Sequence, residues 1–67
     1  MNEQEKLDAL AEIFETADLV PETALDDLNW DSVAMLSVIA LARTQGKSVP
    51  AESLPLMKSI ADILSVL

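Results

Sequence analysis

The chain has 67 residues, enough for one small domain, and it contains neither cysteine nor histidine. Disulfides are therefore excluded, and a structural zinc site is not expected. The net charge of −8 argues against nucleic acid and against anionic membranes as partners. Because 51% of the residues are hydrophobic and only one is glycine, we expect residues 1–67 to fold as a single all-α domain.

The first predicted helix runs from Asn2 or Glu3 to Thr16. Its apolar residues recur at spacings of three and four, and acidic residues occupy the other face. The first ten residues, MNEQEKLDAL, lack the basic and apolar regions of a secretory signal peptide. We therefore expect a cytoplasmic protein.

Residues 17–31 are predicted to form a long connection, because Pro21 and several Asp and Asn residues interrupt the helical pattern. Apolar residues nevertheless occur throughout it: Leu19, Val20, Leu25, Leu28 and Trp30. A long structureless loop is uncommon in so small a domain and is usually functional. We expect this loop to pack on the core.

The second helix is predicted to begin at Ser32, acting as its N-cap, and to end near Gln45, where Gly46 stops it. A helical projection places Met35, Val38, Ile39 and Ala42 on the core side. The opposite side is also free of charge, and it consists of Val33, Ser37, Ala40 and Thr44, flanked by Leu36 and Leu41. A helix that is apolar all round is either fully buried or used for binding, and both readings stay open here.

The apolar run within this helix, residues 33–42, is too short to cross a bilayer, which takes about 20 residues. Pro50 then favours the start of a short third helix, which Pro55 limits or kinks. Ser59 and Asp62 have the spacing of a capping box at the start of the last helix. The expected fold is a small four-helix bundle with a long first loop and a short third helix.

Nothing in the chain predicts catalysis by the protein itself. Without His or Cys, neither a Ser-His-Asp triad nor a cysteine nucleophile is available. Asp26, Asp27 and Asp31 lack the spacing and the central Gly of a calcium-binding loop, so we interpret them as solvated turn residues. We therefore expect that the protein is not an enzyme.

Several landmarks along the chain resemble the acyl carrier protein family. The segment Leu28-Asn29-Trp30-Asp31-Ser32-Val33 is similar to the family motif Leu-Gly-x-Asp-Ser-Leu at the end of a long first loop. Asn29 replaces the usual Gly, and Asn also tolerates positive φ. Val49-Pro50 resembles the family's Ile-Pro after the second helix, and Ser59-Ile60 resembles the Thr-Val that opens its last helix.

This resemblance implies a phosphoprotein that carries 4′-phosphopantetheine on Ser32, with Asp31 beside it for recognition by the transferase. The cofactor would come from coenzyme A through a phosphopantetheinyl transferase. The cargo, acyl or aminoacyl, would be attached as a thioester by a loading enzyme and passed to an acyltransferase or synthase. The resemblance also implies a monomer that does not insert stably into membranes.

The second helix departs from the family, since no Asp or Glu occurs in residues 32–51. Positions that are acidic in typical fatty-acid carriers hold Ala34, Ser37, Arg43 and Thr44, so we expect weak electrostatic steering by this helix. The expected partner-binding residues are Val33, Leu36, Ser37 and Ala40. We infer a specialised carrier for lipid, surface-polysaccharide or secondary-metabolite synthesis, in which Pro55 puts sheltering of the cargo in doubt. The alternative is a helical interaction module without a prosthetic group.

Overall fold

The computed structural model describes residues 2–67, and in these residues the expected all-α fold is confirmed. Three α-helices are present, α1 (Glu3–Phe14), α2 (Ser32–Thr44) and α3 (Ile60–Leu64). Two 3-10 helices, Leu25–Asp27 and Ala51–Leu56, accompany them. None of the helices in residues 2–67 combines the length and the hydrophobicity that crossing a bilayer requires.

Helix α1 begins at a capping box and ends two residues before the predicted Thr16. The Asn2 side chain accepts a hydrogen bond from the Glu5 backbone N–H at 2.8 Å, and the Glu5 carboxylate accepts one from the Asn2 N–H at 3.3 Å. The helix ends because Glu15 adopts a left-handed conformation, with φ of 54°.

The long loop between α1 and α2 packs on the core, as predicted, and its middle forms the first 3-10 helix, which the sequence did not indicate. Leu25 in this turn is only 1% exposed. The loop is also hydrogen-bonded to the segment that precedes α3, where the Leu25 N–H donates to the Lys58 carbonyl at 2.8 Å and the Ile60 N–H donates to the Thr23 carbonyl at 3.0 Å. These bonds satisfy backbone groups of the loop without a sheet.

Helix α2 spans the predicted residues, and Gly46, with φ of 72°, follows its C-terminal end. The expected third helix is present as the 3-10 helix Ala51–Leu56, with Pro55 inside it. Helix α3 begins after Ser59, where the Asp62 carboxylate accepts hydrogen bonds from the backbone N–H groups of Lys58 and Ser59. The Asp62 part of the predicted capping box is therefore in place.

The core draws residues from every helical element and from the end of the described chain. The buried side chains that form it are Leu10, Leu25, Val38, Ala42, Leu54, Ile60, Ile63 and Leu67. From the predicted core side of α2, Val38 and Ala42 are buried, whereas Met35 and Ile39 are half-buried. Ala34, which the helical projection left out of this set, is also buried. Of the opposite side, Val33, Leu36, Ala40 and Thr44 are exposed.

Candidate functional site

The N-terminal end of α2 is capped by Asp31 and not by Ser32, so the prediction that Ser32 is the N-cap was wrong. Asp31 has an extended backbone, and its Oδ1 accepts a hydrogen bond from the Ala34 N–H at 2.9 Å. Ser32 is already the first residue of the helix. Asp and Ser are equally good capping residues, and the residue that keeps the extended conformation takes the role.

The Ser32 hydroxyl is left available at the surface. The Ser32 side chain is exposed, and no hydrogen bond joins its hydroxyl to another group within residues 2–67. Other hydroxyls on the same helix are engaged, since Ser37 Oγ donates to the Val33 carbonyl at 3.0 Å and Thr44 Oγ1 donates to the Leu41 carbonyl at 2.6 Å. Because Asp31 caps α2, the Ser32 hydroxyl is not needed to accept the capping hydrogen bond.

The residues just before Ser32 are held by short-range hydrogen bonds. The Trp30 N–H donates to the Leu28 carbonyl at 3.0 Å, and the Asp31 N–H donates to the Asn29 carbonyl at 3.1 Å. The Asn29 side-chain amide donates to Asp31 Oδ2 at 3.2 Å, so both oxygens of the Asp31 carboxylate accept a hydrogen bond. Asn29 is not in the left-handed region, because Glu15 is the sole non-glycine residue with positive φ in the described chain. Its tolerance of positive φ is therefore not used.

The indole of Trp30 ties this segment to two distant elements. Its Nε1–H donates to the carbonyl of Leu54, in the second 3-10 helix, at 3.1 Å. Its ring also packs against Phe14 at the end of α1, with centroids 5.8 Å apart and ring planes inclined by 44°. The sequence predicted that Trp30 packs on the core, but nothing local to it indicated the partner of its N–H group.

Beside Ser32 lies an uncovered apolar strip, made of Val33, Leu36 and Ala40 on the outer side of α2. Val33 is 70% exposed and Leu36 is 65% exposed, and Ala40 is also exposed. Ser37 is half-buried within the same side of the helix, whereas Leu41 packs against the core. The long loop packs on the core and leaves Val33 and Leu36 exposed, so the reading in which this side of α2 is buried is excluded.

Charged side chains precede and follow the apolar strip along the chain. Asp26, Asp27 and Asp31 are exposed before Ser32, and Arg43 is exposed near the other end of α2. Between them the helix carries no charged side chain. The exposed side of α2 between Asp31 and Arg43 is therefore uncharged.

No cavity is found within residues 2–67. The side chains between the helices fill the interior, and the fully buried Leu10, Leu54 and Ile63 belong to this packing. Comparison of the chain with protein-family models, with curated proteins and with solved structures found no match.

Proposed function

We propose that the protein is a carrier that bears 4′-phosphopantetheine on Ser32. The observation that carries the proposal is the exposed Ser32 hydroxyl at the first position of α2, relieved of capping by Asp31. It is supported by the similarity of residues 28–33 to the acyl carrier motif and by the junction of an acidic loop with an apolar helix at this serine. The protein itself catalyses no step in this proposal.

The modification is a phosphoryl transfer that a transferase performs with coenzyme A as donor. The Ser32 oxygen forms a bond to the phosphorus that bears pantetheine, and the bond from that phosphorus to the adenosine bisphosphate leaving group breaks. The hydroxyl proton passes to a base of the transferase. Asp31 would be a recognition residue here, because it is exposed and directly precedes Ser32.

The attached arm would supply a terminal thiol, which the chain lacks, for acyl or aminoacyl groups bound as thioesters. The protein would present the arm to its partner enzymes, because Ser32 is exposed at the first position of α2, whose N-terminus Asp31 caps. Because coenzyme A and the transferase must both reach Ser32, the proposal places the protein in the cytoplasm. In this proposal the protein is a monomer and binds its enzymes one at a time.

The apolar strip is the surface that we assign to those enzymes, which are a loading enzyme and a downstream acyltransferase or synthase. Burying Val33 and Leu36 contributes affinity through the hydrophobic effect, which depends little on salt. The acids before Ser32 add orientation at one end of the strip. The lack of acids on α2 supports a specialised lipid, surface-polysaccharide or secondary-metabolite pathway with dedicated partners.

The decisive experiment is the intact mass of the purified protein after incubation with coenzyme A and a promiscuous phosphopantetheinyl transferase. We expect a gain of one 4′-phosphopantetheine group in the wild type and none in Ser32→Ala. The matched control is Ser48→Ala, which changes another exposed serine outside α2 and should gain the group as the wild type does. An unmodified wild type, or a Ser32→Ala variant that still gains mass, contradicts the proposal.

The second candidate is a helical interaction module without a prosthetic group, and the exposure of Val33 and Leu36 is the observation that favours it. Under this alternative, Leu36→Glu abolishes binding to the cellular partner and Ser32→Ala has no effect on it. Under the carrier proposal, Ser32→Ala abolishes the transfer of cargo even where binding persists. Measuring binding and cargo transfer for both variants separates the two functions.

A further inference from the structure

Trp30, two residues before Ser32, makes contacts with two distant elements of the fold. Its Nε1–H donates to Leu54, which is fully buried, and its ring contacts Phe14. The hydrogen bond is partly buried and joins residues 24 positions apart in the chain. Since Trp30 is two residues before Ser32, its Cα lies within about 7 Å of the Ser32 Cα.

Apart from the bond of the Trp30 indole, the hydrogen bonds made by residues 30–32 are local. They join Trp30 to Leu28, Asp31 to Asn29, and the Asp31 carboxylate to the start of α2. Such bonds shape the segment, but they do not place it relative to the second 3-10 helix. The flanking Asp26, Asp27 and Asn29 are exposed and contribute no anchoring contact of that kind. Leu28 also packs against the core, and the indole adds the hydrogen bond closest to Ser32 that joins this segment to a distant element.

We propose that Trp30 is a positioning residue for the modification of Ser32. The hydrogen bond from its N–H to the Leu54 carbonyl keeps the Asp31–Ser32 segment in the one arrangement that a transferase accepts. This inference rests on the proposed function. When the bond is lost, a smaller fraction of the molecules presents Ser32 correctly, and the apparent affinity of the transferase falls by that fraction.

The expected kinetic signature is a rise in the KM for the carrier with an unchanged kcat. Binding to the transferase selects the correct arrangement, so the bound complex reacts as before. A single hydrogen bond of this kind corresponds to a KM increase of roughly three- to tenfold. A general loss of stability does not predict this signature as long as the protein stays folded at the assay temperature.

The chain contains a single tryptophan, which allows a clean test. Biosynthetic incorporation of β-(3-benzothienyl)alanine at Trp30 keeps the shape of the ring and replaces the N–H group with sulfur. We expect the KM of a promiscuous transferase for this protein to rise roughly three- to tenfold relative to wild type, with kcat unchanged. Trp30→Phe should shift KM in the same direction.

Two further measurements separate positioning from simple destabilisation. Gly46→Ala strains the opposite end of α2, about 20 Å from Ser32, and should leave KM unchanged. Amide hydrogen exchange at Asp31 and Ala34, whose N–H groups are bonded within the capped segment, should accelerate in the benzothienyl protein and stay as in the wild type in Gly46→Ala.

The inference is overturned if the benzothienyl protein has the KM of the wild type, or if Gly46→Ala raises KM as much. Unchanged exchange at Asp31 and Ala34 would refute the anchoring role itself. Failure of the proposed function is a different result: the wild type would gain no mass at all. In that case Trp30 has no role toward the transferase, but the hydrogen-exchange measurement still decides whether Trp30 anchors the loop.

Discussion

Replacing Asp31 with Ala tests whether Asp31, and not Ser32, caps α2. The substitution removes the acceptor of the Ala34 N–H, which is bonded at 2.9 Å, and a negative charge at the positive end of the helix. Loss of an N-cap costs about 1 kcal/mol, and the charge adds about 0.3–1 kcal/mol. We expect the free energy of unfolding to fall by about 1–2 kcal/mol, which lowers Tm by about 5–15 °C in a domain of this size.

Two neighbouring variants control for other effects. Asp31→Asn removes the same charge but keeps a capping oxygen, so we expect the free energy of unfolding to fall by only about 0.5–1 kcal/mol. Ser32→Ala changes an exposed side chain without a hydrogen bond to any described residue, so its effect should stay within about 0.5 kcal/mol. The difference between Asp31→Ala and Asp31→Asn isolates the cap from the removal of charge in a chain of net charge −8.

The assay is urea unfolding followed by far-UV circular dichroism, with the denaturant slope fitted for each variant to check that unfolding stays two-state. The stabilities should fall in the order wild type or Ser32→Ala, then Asp31→Asn, then Asp31→Ala. If Ser32→Ala costs about 1 kcal/mol or more while Asp31→Ala is neutral, Ser32 is the cap and the hydroxyl is not free for modification.

Four further predictions use the same unfolding assay. Leu25→Ala should cost about 2–5 kcal/mol, because Leu25 is 1% exposed, and a loss below about 1 kcal/mol would mean that the long loop is not part of the core. Glu15→Gly should stabilise by about 0.5–1 kcal/mol by relieving a positive φ of 54°, and a loss of stability would contradict that reasoning. Gly46→Ala should lower the free energy of unfolding by about 1 kcal/mol, because φ is 72° and a side chain strains this backbone even though no atom lies within 4 Å of the added Cβ. An unchanged Tm would refute this prediction. Gln45→Met should be neutral or stabilising by up to about 1 kcal/mol, because the buried Gln45 Nε2 has no hydrogen-bond partner among the described residues; a clear loss would indicate an unseen partner.

The apolar side of α2 shows how far the sequence could be taken. Periodicity separated Val38 and Ala42 from the exposed Val33, Leu36 and Ala40, because every residue of a helix has a fixed angular position, but it left the buried Ala34 out of the core side. It could not show whether the long loop covers the second side. That depends on where the loop packs, and the loop is placed by contacts with residues far along the chain.

The exchange of roles between Asp31 and Ser32 has a different cause. Both residue types cap helices well, and they are adjacent, so the sequence alone allowed two starting points one residue apart. The backbone of residues 29–31 settled it, since two successive tight hydrogen bonds leave Asp31 extended and let the helix begin at Ser32.

The sequence by itself determined the elements whose signals act within one turn of the chain: the stop at Gly46, the short proline-containing helix after Pro50, and the start of α3 at Ser59. Packing of Leu25 on the core was also predicted from the sequence, whereas tertiary structure alone decided that Val33 and Leu36 are exposed and that the Trp30 N–H binds the Leu54 carbonyl. The physical reason is range: caps and breakers act on neighbouring backbone groups, whereas burial and the anchoring of a loop depend on partners that only folding brings together.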